Sequence, residues 1–122
     1  MKLFLLGVAL ASSTHPGARF DLVCSGSEEH VDSSLNKPYT AHYRIDLAAK
    51  RFCMDMCKAT IPITDVQPNV IVLERSGLGE PKFEHLLDRQ TGEDTILMED
   101  EIDKGTCQRQ PFSGFSSGPK KF

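Results

Sequence analysis

The 122-residue chain has no tryptophan and only two tyrosines, so its aromatic packing rests on seven phenylalanines. No apolar run approaches the ~20 residues that a membrane-spanning helix needs, which excludes a helical membrane protein. Basic charge is also scarce: 14 Lys and Arg stand against 17 Asp and Glu, and Lys120-Lys121 sits at the very C-terminus. Nucleic-acid binders neutralise phosphate with a basic face, so that class is set aside. No long stretch carries a helical period and no internal repeat is present, which leaves out bundles and solenoids.

What is present begins with the N-terminus. Met1-Lys2, an apolar run from Leu3 to Ala11, and Ser12-Ser13-Thr14 form the charged, apolar and small-residue regions of a secretory leader. Residues 1–18 are read as a signal peptide, with cleavage after Ala11, after Ser13 or as late as Ala18. The mature part is then on the order of 100 residues, a size that buries only ~60–65 % of its unfolded surface and gains much from cross-links. Four cysteines, Cys24, Cys53, Cys57 and Cys107, suit an oxidising compartment. Four cysteines allow three pairings. The preferred one joins Cys53 to Cys57 and Cys24 to Cys107. Residues four apart in a strand lie ~13 Å apart, while a disulfide needs Cα atoms within ~7 Å. The short bridge therefore requires a turn at Met54-Asp55-Met56. Zinc is set aside, because Cys24 and Cys107 stand alone and no ligand spacing points to His42 or His85.

Tyr39, Ala41, Tyr43, Ile45 and Leu47 alternate with Thr40, His42, Arg44 and Asp46, which is the pattern of a half-buried strand. The alternation resumes with Phe52, Met54 and Met56 on one face, so the two runs read as a hairpin. Phe20 to Cys24 is a short strand, Ser27 to Pro38 a polar loop, and Asn69 to Arg75 a β-branched central strand. Pro81 to Arg89 fits a helical turn or a strand. The strand is preferred, because Asp88 to Gly92 before Thr95-Ile96-Leu97-Met98 looks like a hairpin with glycine in the left-handed position. Ile102 to Gln108 closes the set. The expectation is an all-β, disulfide-stapled domain over 19–110, a small antiparallel meander, barrel or sandwich, followed by an irregular Ser/Gly/Pro-rich tail over 111–122.

Phe20-Asp21-Leu22-Val23-Cys24, Tyr43-Arg44-Ile45-Asp46-Leu47 before Phe52-Cys53, Asp88-Arg89 before Thr91-Gly92, and Pro111-Phe112-Ser113-Gly114-Phe115 together resemble small exported bacterial β-proteins of uncharacterised function. The resemblance covers most of the chain after the leader. It implies a β fold and export, and it transfers no activity or site.

Each motif that could carry chemistry has a simpler reading. Gly114-Phe115-Ser116-Ser117-Gly118 matches a nucleophile-elbow pattern, but only four residues follow it, which leaves no room for partners. Gly77-Leu78-Gly79 is a turn without a βαβ unit around it. The acidic stretch from Glu93 to Asp103 puts Ile102 and Lys104 where a calcium loop needs ligands. It reads as solvated, edge-protecting charge, with a weak cation contact through Asp100, Glu101 and Asp103 as the alternative. The row His42, Arg44 and Asp46 is the one candidate for catalysis, and its groups point outward in parallel.

No catalytic residue, metal or cofactor is assigned. Tyr43, Ile45, Phe52, Met54 and Met56 share one face and are the candidate lining of a barrel interior, filled or hollow. The chain is read as a periplasmic or extracellular monomer, a binding or interaction module rather than an enzyme. The alternatives are an apolar small-molecule carrier and an inhibitor or envelope accessory protein. An interaction module would display an apolar patch or a long ordered loop over 25–38.

Overall fold

The alternating runs assemble into one antiparallel sheet. The computed structural model describes residues 16–32 and 36–115. After a 3-10 turn at Pro16–Ala18 come β1 (Arg19–His30), β2 (Asn36–Asp46), β3 (Arg51–Met54), β4 (Ile61–Pro62), β5 (Asp65–Val66), β6 (Val70–Arg75), β7 (Phe83–Asp88), β8 (Glu93–Met98) and β9 (Glu101–Gln110). The order across the sheet is β4-β3-β2-β1-β9-β8-β7-β6-β5. Two meanders therefore join where the first strand pairs with the last. The fold is all-β, a nine-stranded sheet curled into a half-barrel. With one sheet there is no second layer, so the sandwich alternative falls away.

The curl has a covalent cause. β4 and β5 are the two opposite edges of the sheet, yet only Ile63 and Thr64 separate them. Two intervening residues hold Pro62 and Asp65 within about 11 Å of each other, so the edges must approach. The Ile63 amide donates to the Lys50 carbonyl at 2.9 Å, and the next amide, Thr64, donates to the Leu73 carbonyl at 3.2 Å. Consecutive residues are thereby bonded to the two ends of the sheet.

Register and alternation define the faces. The concave face receives Phe20, Leu22, Cys24, Gly26, Glu28 and His30 from β1, matched by Ile45, Tyr43, Ala41 and Tyr39 on β2. From β9 it receives Arg109, Cys107, Gly105, Asp103 and Glu101. The core is Phe20, Cys24, Tyr43, Ile45, Phe52, Ile63, Ile71, Leu73 and Leu87.

Several elements differ from expectation. The segment read as a loop from Ser27 to Pro38 is the far half of a long hairpin, with Ser27 opposite Pro38 and Glu29 opposite Asn36. Its strands are polar on both faces there, so no hydrophobic period betrays them. Pro38 is tolerated because β3 pairs with β2 only at Tyr43 to Asp46, which leaves β2 an edge strand at that point. The expected long ordered loop is absent among the described residues. β6 lies one short strand from the sheet edge rather than at its centre. A register shift between Val72 and Glu74 lets both Val72 and Leu73 be buried.

The turn signals were better guides. Segment 83–88 is strand β7. Asp88 carries the β7–β8 turn, accepting the amides of Gln90 at 2.8 Å and Thr91 at 3.0 Å, and Gly92 is left-handed at φ 79°. Those two amide bonds hold the Asp88 carboxyl below its usual range.

Both disulfides are present, Cys24–Cys107 and Cys53–Cys57. Cys24 and Cys107 are register partners in the β1–β9 ladder, so their bond staples the first strand to the last. The Cys53–Cys57 loop turns through positive φ at Asp55 (49°) and Cys57 (55°), which brings the Cα atoms to 5.0 Å.

Beyond β9, residues 111–115 carry no regular structure but are held against the convex face. Ser113 donates its amide to Asp21 Oδ1 at 3.1 Å and its hydroxyl to Asp21 Oδ2 at 2.6 Å. Arg44 donates to the Gly114 carbonyl at 3.1 Å. The Phe115 carbonyl lies 3.2 Å from Cys57 Sγ, a close contact without a proton because that sulfur is in a disulfide. The proposed leader falls almost wholly in 1–15, and the Ser116-Ser117-Gly118 part of the tail motif in 116–122. Both lie outside the described residues.

Candidate functional site

Concave faces of half-barrels are where β-proteins hold ligands. The interior behind the expected lining is solid here. Tyr43, Ile45 and Phe52 are fully buried members of the core. Met54, the last residue of β3, and Met56, in the turn beyond it, are outside that core and are 40 % and 66 % exposed. Met54 still pairs with Tyr43, and the turn that the short disulfide requires begins at Asp55, which takes Met56 out of the sheet.

The concave face opens instead at the other side of Phe20. A cavity of about 190 Å³ lies between the start of β1, the end of β9 and the β7–β8 turn. Its floor is Phe20, Leu22, Ile71, Leu87 and Cys107, and its rim carries Arg89, Arg109, Asp88, Gly17 and Gly92. Arg109 is register partner to Leu22 and lays its guanidinium over the Phe20 ring at 4.6 Å. Arg89 is fixed at the turn by donating Nη1 to the Gln67 carbonyl at 2.8 Å. Asp88 turns its carboxylate to the turn amides and stays anionic, so the rim sets two cations against one anion. None of the five sequence-chosen residues lines this cleft. Sequence reasoning quoted Phe20, Leu22 and Asp88-Arg89 only as strand and turn features. Their convergence depends on β1 pairing with β9, which no local pattern reveals.

A second constellation lies deeper in the concave face. Tyr39, Gly26, Gly105 and Asp94 form one register row across β2, β1, β9 and β8. The two glycines clear a trough in that row. A Cβ on Gly105 would come 2.5 Å from the Tyr39 hydroxyl and 2.6 Å from the Ser25 carbonyl, and one on Gly26 would strike the Lys104 carbonyl. Through that trough Tyr39 donates to Asp94 Oδ2 at 3.1 Å, and Tyr43 reaches the same oxygen at 2.9 Å. His85 Nε2 is 2.7 Å from Asp94 Oδ1 and packs edge-on to Tyr43 at 5.1 Å. Burial, then the Asp94 carboxylate, pushes both tyrosine hydroxyls well above their usual range. His85 and Asp94 are 1 % and 0 % exposed, so substrate cannot reach them. The cluster is a satisfied polar core, which keeps two phenols, a carboxylate and an imidazole in fixed positions.

The outward row on β2 finds partners rather than a cleft. His42 Nε2 is 2.7 Å from Asp21 Oδ2, and Asp46 is 3.4 Å from Arg19. Ser113, Asp21 and His42 have the composition of a hydrolytic triad with the wrong connectivity. Serine and histidine share one aspartate oxygen, whereas activation needs histidine to stand between serine and aspartate. Burial alone would raise Asp21, but the bonds from Ser113 and His42 outweigh it and hold the carboxyl below its usual range.

The large exposed apolar side chains are Val23, Val31, Met54, Met56 and Leu78. They are spread over two strands and three turns. No described helix is long and apolar enough to cross a membrane. The two disulfides are consistent with an oxidising, extracytoplasmic location. No family model matches the chain, and neither a characterised protein nor a solved structure matches it.

Proposed function

We propose that the protein is an exported binding module that takes a small amphipathic anion, a single-ring or short-chain carboxylate, in the Phe20–Arg109 cleft. The observation that carries this reading is an apolar floor under two arginines in one cavity of about 190 Å³. A cavity of ~150 Å³ accommodates benzene, so the size suits one ring or a short chain and not a lipid. Arginine presents paired donors matched to a carboxylate. Arg109 stacks on the Phe20 ring, and Arg89 uses one of its five donors on Gln67. The buried staple and the leader-like N-terminus support export to an oxidising compartment. The motif resemblance supports a bacterial envelope setting. The closed polar core around Asp94 and the miswired Ser113–Asp21–His42 group support binding over catalysis.

Amide-resolved NMR titration with benzoate and hexanoate, against benzyl alcohol and hexanol, tests the reading. The acids should shift resonances of Leu22, Leu87 to Gly92 and Cys107 to Arg109, and the neutral isosteres should bind at least ~10-fold more weakly. Shifts that scatter elsewhere, or equal binding of acid and alcohol, would remove the proposal.

A further inference from the structure

At the far end of the β1–β9 ladder, six residues and so ~20 Å from Leu22, the concave face changes character. Glu28 is opposite Asp103 and His30 is opposite Glu101, so four ligand-type side chains form a square on two paired strands. Glu28, His30 and Glu101 present ligand atoms all within 4.8 Å of one another. No lysine or arginine ion pair reaches these carboxylates among the described residues.

Two features set this group apart from a solvated acidic edge. Asp103 is 7 % exposed, its carboxyl lies against Glu101 and near Glu28, and its Oδ1 is buried with no hydrogen-bond partner. A buried, unsatisfied carboxylate oxygen costs free energy unless something else pairs with it. His30 is also poorly served. Its Nδ1 is 3.5 Å from Glu101 and its Nε2 3.5 Å from Glu28, and Nε2 has no hydrogen bond. The other two imidazole–carboxylate pairs of this protein close to 2.7 Å. An imidazolium bridging two carboxylates would be expected to do the same. The two separations lie at different ring nitrogens, so one ion would take a single nitrogen of His30 together with the Glu28 and Glu101 carboxylates, whose ligand atoms come within 4.8 Å of it.

We propose that Glu28, His30 and Glu101 bind one divalent transition cation of the Zn²⁺ or Mn²⁺ class, with Asp103 behind them holding Glu101 in place. Two carboxylates and one imidazole are a mixed O/N set of the kind such ions take. Carboxylates of both paired strands would then be held by one ion, which relieves the crowding of like charge at that end of the ladder. The site is independent of the anion cleft, on the same two strands but beyond the Cys24–Cys107 staple and the Gly26–Gly105 trough.

Calorimetric titration of the oxidised full chain with Zn²⁺ alone and Mn²⁺ alone decides the matter, with Asp103→Asn and His30→Gln as variants. Both substitutions preserve shape, and Asp103→Asn also removes a crowded negative charge. The expected result is one saturable site per chain, weakened at least ~10-fold by either substitution, with proton release when the ion binds. Absence of a saturable site would overturn the proposal. So would binding that neither variant alters, which would place the ion elsewhere. Should Asp103→Asn fail to fold, Glu101→Gln replaces it, and the same loss is required.

Discussion

A single aspartate organises the polar half of the interior. Asp94 accepts from Tyr39 and Tyr43 of β2 on one oxygen and meets His85 of β7 on the other. Removing it with Asp94→Ala strands two phenols and an imidazole in a dry site, and a loss of about 3–5 kcal/mol is expected. Tyr43→Phe removes one bond and leaves Tyr39 on the shared oxygen, so it should cost about 1 kcal/mol. Urea midpoints at unchanged slope measure both. Gly105→Ala belongs to the same network through space rather than through a bond. Its methyl would press on the Tyr39 hydroxyl, and destabilisation of about 1–3 kcal/mol should accompany a change in tyrosine absorbance. If Gly105→Ala were neutral, the trough would not be what positions Tyr39.

Among the elements, the tail segment 111–115 depends on charge and the strands do not. Its anchor, Asp21, has a carboxyl held below its usual range by Ser113 and His42. The sign follows from linkage: a depressed folded-state value adds stability above the unfolded value, near 3.9, and loses it as pH falls through the folded value. The tail should therefore stay docked from neutral pH down to about 4 and release below that. Asp21→Asn should release it at every pH. Hydrogen exchange of the Ser113 amide reports both, and an amide equally protected at pH 7 and pH 2.5 would contradict the assignment.

The same elements show what could be read in advance. The alternation from Tyr39 to Leu47 and the Asp88–Gly92 turn each signal themselves locally, through an apolar period of two and a left-handed glycine. Ser27 to His30 gave no signal, because a strand with polar residues on both faces looks like a loop until its partners on either side are known. Met54 keeps the period as register partner of Tyr43, whereas Met56 continued it only on paper, because the backbone leaves the strand at Asp55 to close the short disulfide. The cleft was illegible for a third reason. Leu22, Ile71, Leu87, Arg89 and Arg109 come from four strands and a turn and meet only in three dimensions. The Glu28–His30–Glu101–Asp103 square was half visible as an acidic run, yet the strand that supplies Glu28 and His30 was taken for a loop.

At the scale of the whole molecule, the β1–β9 pairing is the structural hinge of the account, since it joins the two meanders and frames both candidate sites. The Cys24–Cys107 bond closes 83 residues of sequence separation and the Cys53–Cys57 bond only 4. On the loop-entropy model, replacing the long staple by alanines should lower stability by about 4–5 kcal/mol, and replacing the short one by about 2. For a domain whose whole stability is of order 5–15 kcal/mol, the first loss should lower the urea midpoint by about a third at least. Equal losses would mean that the β1–β9 ladder does not need its bridge.

The most direct test of the binding function is a native mass spectrum of the oxidised chain incubated with benzoate and hexanoate. The account predicts a one-to-one carboxylate adduct that disappears in the Arg89→Ala/Arg109→Ala double variant, with the fold and both disulfides retained. A chain that carries no carboxylate at millimolar concentration, or one that keeps it after both arginines are gone, would contradict it.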